Sequence, residues 1–281
     1  FTDGNTLFEA ASGNTIINNQ STSAVTDFIT SADSIEFKGG TLYVKETGVK
    51  IATSNGAVTI NSIDGDHDET VEIAAGSGAV SVGRIGGTNS SGEGIKSVAI
   101  TSTNATGITL TGNITTSDTA DSDVTLTGKV EIDGAVAIDT SAGVDGDITF
   151  SSTINAEGGG SNTESLSVSS GTGTITLGVV GGTAGLDSLV VNSSALTISN
   201  NITTANGLID INAPVTLGAD VIISSGTGTG NVEFSSTIAG TQNLDILSGS
   251  GAVTITGNIG GGDALTSLDI NATGASTGSG N

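Results

Sequence analysis

Short alternating runs of apolar and polar residues recur along the chain and predict β-strands. In Val253-Thr254-Ile255-Thr256, an extended backbone sends Val and Ile to one side and Thr to the other. A glycine or asparagine corner follows, then one more apolar residue. Triplets of this kind centre on Thr176, Thr197, Thr216, Glu233 and Thr254, nearly evenly spaced, with the shortest step from Thr216 to Glu233. A second set interleaves with it: Leu189-Val190-Val191, Leu208 to Ile211, Leu244-Asp245-Ile246 and Leu268-Asp269-Ile270. The beat is fainter in Val58 to Ile63 and Val124 to Ile132, and hardly visible before Leu42.

Strands this short bury almost nothing alone. A chain that repeats them about every twenty residues can coil, laying each strand in register on the one before. Inward Val, Ile and Leu then form one apolar column, and backbone groups pair between coils. The expected fold is all-β: a β-solenoid, a right-handed parallel β-helix with coils of about 17–24 residues. Roughly 14 coils at ~4.8 Å would make a rod of roughly 65–70 Å. The repetitive body is expected over 58–273, with an irregular N-terminal region over 1–57 that belongs to the rod or to a subunit junction. A flexible Gly/Ser-rich tail is expected over 274–281.

A longer repeat overlies this beat. Gly146 to Ile154 (GDITFSSTI) returns as Gly230 to Ile238 (GNVEFSSTI), which makes Phe150 and Phe234 equivalent positions. Gly76 to Gly87 is echoed by Gly171 to Gly182 and by Gly249 to Gly261. Tandem immunoglobulin-like sandwiches would match this period but carry core aromatics and prolines that are nearly missing here. A β-propeller would need blades of about 40 residues with a blade signature.

The strings ITFSSTI, LTISNNITT, VTLGADVII and VTITGNIGG resemble those of bacterial β-strand-repeat surface proteins, among them the filamentous-haemagglutinin-like adhesins. The resemblance spans Val58 to Ala275. It implies an exported, elongated protein with a structural or adhesive task. The chain departs from that type in lacking its secretion domain and in its acidity.

Charge sharpens the picture. The net charge is −23, and all six basic residues (Lys38, Lys45, Lys50, Arg84, Lys96, Lys129) precede position 130, whereas 14 acids follow it. Such a surface repels nucleic-acid phosphates and anionic lipid, so neither is an expected partner, and no apolar run is long enough to predict membrane insertion. Glycine occurs 44 times and proline once, which suits turns and strands over helices. The chain starts at Phe1 rather than Met and has no cysteine, as expected of a processed or excised piece of an exported protein.

Catalysis is not expected. His67 has no second histidine, no cysteine nucleophile exists, and the one GxSxG match lies at Gly274 to Gly278 without a helix after it. The best local constellation is Asp64-Gly65-Asp66-His67-Asp68-Glu69, where Asp64, Asp66 and Asp68 stand at alternate positions like the start of a calcium loop. The sixth position lacks glycine and the twelfth is Ala75, so a solvated acidic turn is the plainer reading. Asp118, Asp121 and Asp123 form a weaker cluster. Thr-x-Thr pairs at Thr109 and Thr111, Thr125 and Thr127, Thr174 and Thr176, and Thr254 and Thr256 suit an exposed strand, or an ice-binding face if they align. Seven Asn-x-Ser/Thr sequons occur, Asn104, Asn113 and Asn201 among them, as chance would place them in this composition.

Neither end reads as the amphipathic cap that keeps solenoids monomeric. The expectation is therefore an extracellular or cell-surface structural rod whose principal partner is another copy of itself, joined head to tail. The alternative is the stalk or binding segment of an adhesin that recognises a surface glycan or host protein. A loop interrupting the beat would mark the latter, and Asn89 to Lys96 and Asn155 to Glu164 are the candidates.

Overall fold

The computed structural model describes residues 6–10, 15–18, 26–30, 32–45, 47–87, 94–142, 146–159 and 163–278. Its strands are short and every register pairing between them is parallel, so the chain is a β-solenoid. Successive strands visit three stacks in strict rotation, here faces A, B and C. Face A receives Thr6–Ala10, Ile35–Gly39, Ile108–Leu110, Val130–Ile132, Ile154–Ala156, Val221–Ser224, Asn243–Gly249 and Ser267–Ala272. Face B receives Thr15–Asn18, Leu42–Lys45, Ala135–Asp139, Ile209–Asn212, Val232–Phe234 and Val253–Ile255. Face C receives Thr26–Thr30, Gly48–Thr53, Glu69–Ala74, Ile95–Thr101, Val124–Thr127, Ile148–Phe150 and Val215–Leu217. Val58–Asp64 and Val80–Ile85 run through the corner from A to B, while Ser165–Thr176 and Ser188–Ile198 run from B to C.

The rotation also covers the N-terminal segment read as irregular. Its strands between Thr6 and Thr53 pair into the same three stacks. At the other end, Thr277–Gly278 pairs with Thr254 and Ile255, and residues 279–281 lie outside the described residues.

Coils are larger and fewer than the sequence beat suggests. Register partners such as Val58 and Val80, Val130 and Ile154, or Val215 and Ile238 stand one coil apart. Hydrogen bonds between successive coils join Lys50 to Glu72, Ala137 to Asn113 and Asn243 to Asp220, at sequence separations of 22, 24 and 23. The described chain makes about eleven turns, counted on face A from Thr6 to Leu268. At ~4.8 Å per coil that is a rod of about 50–55 Å. The difference has a specific origin. Thr176, Thr197 and Thr216 are successive rungs of face C, but the partner of Thr216 is Ala239, and Glu233 belongs to face B. The short step from Thr216 to Glu233 therefore turns two corners, through Val221–Ser224 on face A, instead of completing a coil.

The long repeat is likewise indifferent to face. Phe150 pairs with Leu126 on face C, and Phe234 pairs with Ile211 on face B. The step from one to the other is thus three turns plus two further faces, and the two phenylalanines plug different walls. The repeating module is one third of a turn: an alternating strand, a short corner and the first apolar residue of the next face. Ile108 to Ile114 turns A into B, Val253 to Ile259 turns B into C, and Val124 to Val130 turns C into A, six positions each time.

Inward side chains stack as ladders. On face B, Ile63, Ile85, Ile114, Ile138, Val168, Val191, Ile211, Phe234 and Ile255 follow one another rung by rung. Each is at most 2% exposed, in one core cluster that extends from Ile35 to Ile255. Corners are closed by buried hydroxyls. Thr140, Ser170, Ser225 and Ser248 turn inward and donate to the carbonyls of Gly146, Gly173, Gly230 and Gly251 across the bend. Where Ala75 replaces the hydroxyl, Ser102 of the next coil donates to Gly78 O instead, at 2.8 Å. A buried carbonyl left unpaired is costly, so the hydroxyl is supplied from whichever coil can reach.

Candidate functional site

Residues Asp64 to Glu69 form a corner between Ile63 on face B and Thr70 on face C. Asp68 takes a left-handed backbone (φ 62°), a conformation that Asp tolerates better than most residues. The turn closes directly over Glu69: a Cβ on Gly65 would lie 2.2 Å from Glu69 Oε2, so any larger residue there would push the buried carboxyl aside.

The corner carries its own counter-ions. Asp64 is 3% exposed; its Oδ1 accepts from Gly65 N at 3.0 Å and its Oδ2 faces Arg84 at 3.4 Å. Asp66 Oδ2 accepts from Lys45 Nζ at 2.7 Å, and Asp66 Oδ1 lies 2.9 Å from His67 Nδ1. Lys45 also sits 5.4 Å from the centre of the Tyr43 ring. Glu69 is fully buried, and both its oxygens take the His67 N–H, at 3.1 and 3.0 Å.

Burial pushes the Glu69 carboxyl up to about 7, and its hydrogen bond with Asp66 pushes the same way. Burial would raise Asp66 too, but hydrogen bonds from Lys45, His67 and Glu69 outweigh it and hold Asp66 below the ordinary carboxylate value. Two carboxyls with opposed affinities for a proton are the signature of an acid–base pair. Here the proton-holding member lies beneath the turn with no exposed surface, so a substrate has no route to it. The arrangement is that of a structural corner in which one acid holds a proton more firmly than an ordinary carboxyl while its neighbour gives one up more readily.

The three aspartates of the calcium reading do not converge. The group that comes together is Asp66, His67 and Glu69, whose ligand atoms lie within 4.8 Å of one another, while Asp64 turns to Arg84. Calcium asks for six to eight oxygens. To bind here it would have to displace Lys45 and Arg84 and ionise a buried Glu69. Asp118 and Asp121 join no such group among the described residues, and Asp123 accepts the Asp147 N–H of the next coil at 2.8 Å. The Thr-x-Thr pairs fall on different walls, with Thr109 on face A, Thr254 on face B, and Thr125 and Thr176 on face C. They form no common two-column array. Of the two interrupting loops, 88–93 of the first and 160–162 of the second lie outside the described residues, and Asn155 at the start of the second is 1% exposed and holds the following coil.

A sequence signal for the corner existed and was missed. Lys45 and Asp66 are separated by 21 in sequence and Lys50 and Glu72 by 22, one coil each. Both pairs are in contact, at 2.7 and 2.6 Å. Opposite charges one coil apart mark neighbouring rungs.

The raised Glu69 makes stability depend on pH. The folded state keeps a proton that an unfolded carboxyl releases near 4.5, so this contribution is full below about 4.5 and is lost as pH rises through about 7. Glu69→Gln keeps an acceptor for His67 N–H and a donor for Asp66 without the proton. The variant is expected to match wild type at pH 5 and to exceed it by about 1–2 kcal/mol at pH 8. Urea unfolding at both pH values reads the difference. Parallel pH profiles for the two proteins would mean that Glu69 holds no such proton. Comparisons with protein-family models, curated protein sequences and solved structures found no match.

Proposed function

We propose that this chain is an extracellular structural protein, a rod whose coils stack end to end into fibres or sheets. One observation carries the reading. Leu268 and Ile270 are 37% and 38% exposed, yet their register partners Leu244 and Ile246 are 1% and 0% exposed. They occupy inward positions on the last described coil of face A, above a column buried from Ile35 to Ile255. Beside them the Ser267–Ala272 strand presents an edge with no strand beyond it among the described residues. An apolar, strand-edged terrace of this kind is a template for another coil.

Catalysis plays no part in the proposal: of the Asp66–Glu69 pair, Glu69 is fully buried beneath the turn. Among the described residues no helix is long and apolar enough to cross a membrane. The extracellular assignment rests on the resemblance to β-strand-repeat surface proteins and on the acidic, repetitive character of the chain.

Electron microscopy of concentrated protein tests the assembly. Filaments one rod wide are expected, and Leu268→Asp with Ile270→Asp is expected to abolish them while leaving the melting of the rod nearly unchanged. Isolated particles at high concentration would sink the proposal. The second reading, a binding segment of an adhesin, is favoured by one feature, a polar cleft on face A.

A further inference from the structure

Along the middle of the rod, the outward rungs of face A are Thr109, Glu131 and Asn155. The third rung departs from the others. Asn155 is almost completely buried, and its Oδ1 accepts the backbone N–H of Thr183 at 3.0 Å. That bond draws the corner around Thr183 and Ala184 down onto the face. Just after Asn155, the chain leaves face A in a short 3-10 turn, Glu157–Gly159, in which Gly158 has a left-handed backbone (φ 64°). These two corners line a cleft of ≈ 400 Å³ together with Thr109, Lys129 and Glu131. The loop that borders it is the one whose interruption of the sequence beat marked it as a candidate binding element.

The chemistry of the cleft is specific. The Lys129 ammonium and the Glu131 carboxylate touch each other, with 34% and 13% of their side chains exposed. The pair thus presents a donor and an acceptor side by side, aimed into the same space. Thr109 and Thr183 add hydroxyls that donate or accept, and Ala184 adds a small apolar surface. A volume of this size lies within the range that holds a small organic ligand. Vicinal hydroxyls on a six-membered ring match adjacent donor and acceptor groups, and the C–H face of the ring matches the alanine. Charge selects among sugars. Lys129 is outnumbered by Glu131 and Glu157 at the cleft, and the chain as a whole carries −23, so uronic acids and sulfated sugars are repelled.

We infer that this cleft on face A binds a neutral saccharide, with Lys129 and Glu131 gripping neighbouring hydroxyls and the corners at Glu157 and Thr183 lining it. The rod then carries a glycan contact on its flank, which neither needs nor prevents stacking at its ends.

Saturation-transfer NMR on the full chain tests this with a panel of methyl glycosides of glucose, galactose, mannose and N-acetylglucosamine, alongside methyl glucuronide. Transfer to at least one neutral glycoside is expected, with none to the glucuronide. Glu131→Gln and Lys129→Ala are each expected to weaken that binding at least about tenfold, since each removes a charge-assisted hydrogen bond. Asp210→Asn, on face B, is expected to leave it unchanged. Melting curves of all three variants report whether the rod is intact. No transfer to any neutral sugar, equal transfer to the glucuronide, or binding that survives both cleft substitutions would overturn the inference. Filament formation is read separately by microscopy, so failure of the cleft and failure of the assembly are distinguishable.

Discussion

Replacing Phe150 or Phe234 by alanine is expected to lower the unfolding free energy by about 3–5 kcal/mol in each case. Both rings are buried to within 2% of full enclosure, and each is bulkier than the aliphatic rung it pairs with, Leu126 or Ile211. Phe150 follows Phe28, Ile51, Ile73, Ile100 and Leu126 on face C, whose stack continues beyond it, and Phe234 stands between Ile211 and Ile255 on face B. Coils above and below are held by continuous hydrogen-bonded ladders, so they cannot collapse into the space a lost ring leaves. The cavity term therefore adds to the transfer term. The two sites lie more than three turns apart and share no neighbours, so the double variant is expected to lose the sum of the single losses. Urea unfolding followed by circular dichroism reads all three values. A loss below about 1 kcal/mol at either site would mean that the ring is not in the column.

The second large effect is at a corner. Gly178→Ala is expected to cost about 3 kcal/mol or more, although it adds a single methyl group. A Cβ there would lie 1.7 Å from the carbonyl oxygen of Ser152 and 2.6 Å from its carbon. Those are backbone atoms of the preceding coil, pinned by the bonds Val179 O takes from Ile154 N at 2.8 Å and Ile154 O takes from Gly181 N at 2.7 Å. Relief requires the coils to part, which breaks the ladder. Gly262→Ala supplies the control: no atom lies within 4 Å of its Cβ position, so a change within about 0.5 kcal/mol is expected. Equal effects at the two glycines would show that coil-on-coil contact does not limit Gly178.

The same corners explain what was legible in the sequence. Alternation in Val124-Thr125-Leu126 or Val253-Thr254-Ile255 is a local property, set by which side of one strand is dry, and it predicted strands and a solenoid correctly. Coil size is not local. A strand on face B and one on face C obey the same pattern, so nothing in Glu233 itself says that it does not continue the line of Thr216. Two successive faces can therefore be counted as one coil, and that shortened the apparent period. The N-terminal strands hid for another reason: Ile35–Gly39 and Leu42–Lys45 carry Glu36, Lys38, Tyr43 and Lys45 on outward positions, where strands such as Val124–Thr127 and Val253–Ile255 carry Thr. At the acidic corner, the alternating aspartates were visible but their partners were not. Lys45 and Arg84 reach Asp66 and Asp64 from the coils on either side, and only a correct coil length places them there. The burial of Glu69 follows from Gly65 closing over it, a contact that depends on the turn rather than on its composition.

Paired cysteines test the three-faced coil most directly, because the chain has none of its own. Neighbouring strands lie about 4.8 Å apart, within the span a disulfide bridges. Thr216→Cys with Ala239→Cys, register partners on face C, is expected to oxidise readily to an intramolecular disulfide. Thr216→Cys with Glu233→Cys, nearer in sequence but on different faces, is expected to stay reduced under the same conditions. Efficient bridging of the second pair and failure of the first would contradict the stacking register from which the faces, the ladders and the cleft are all built.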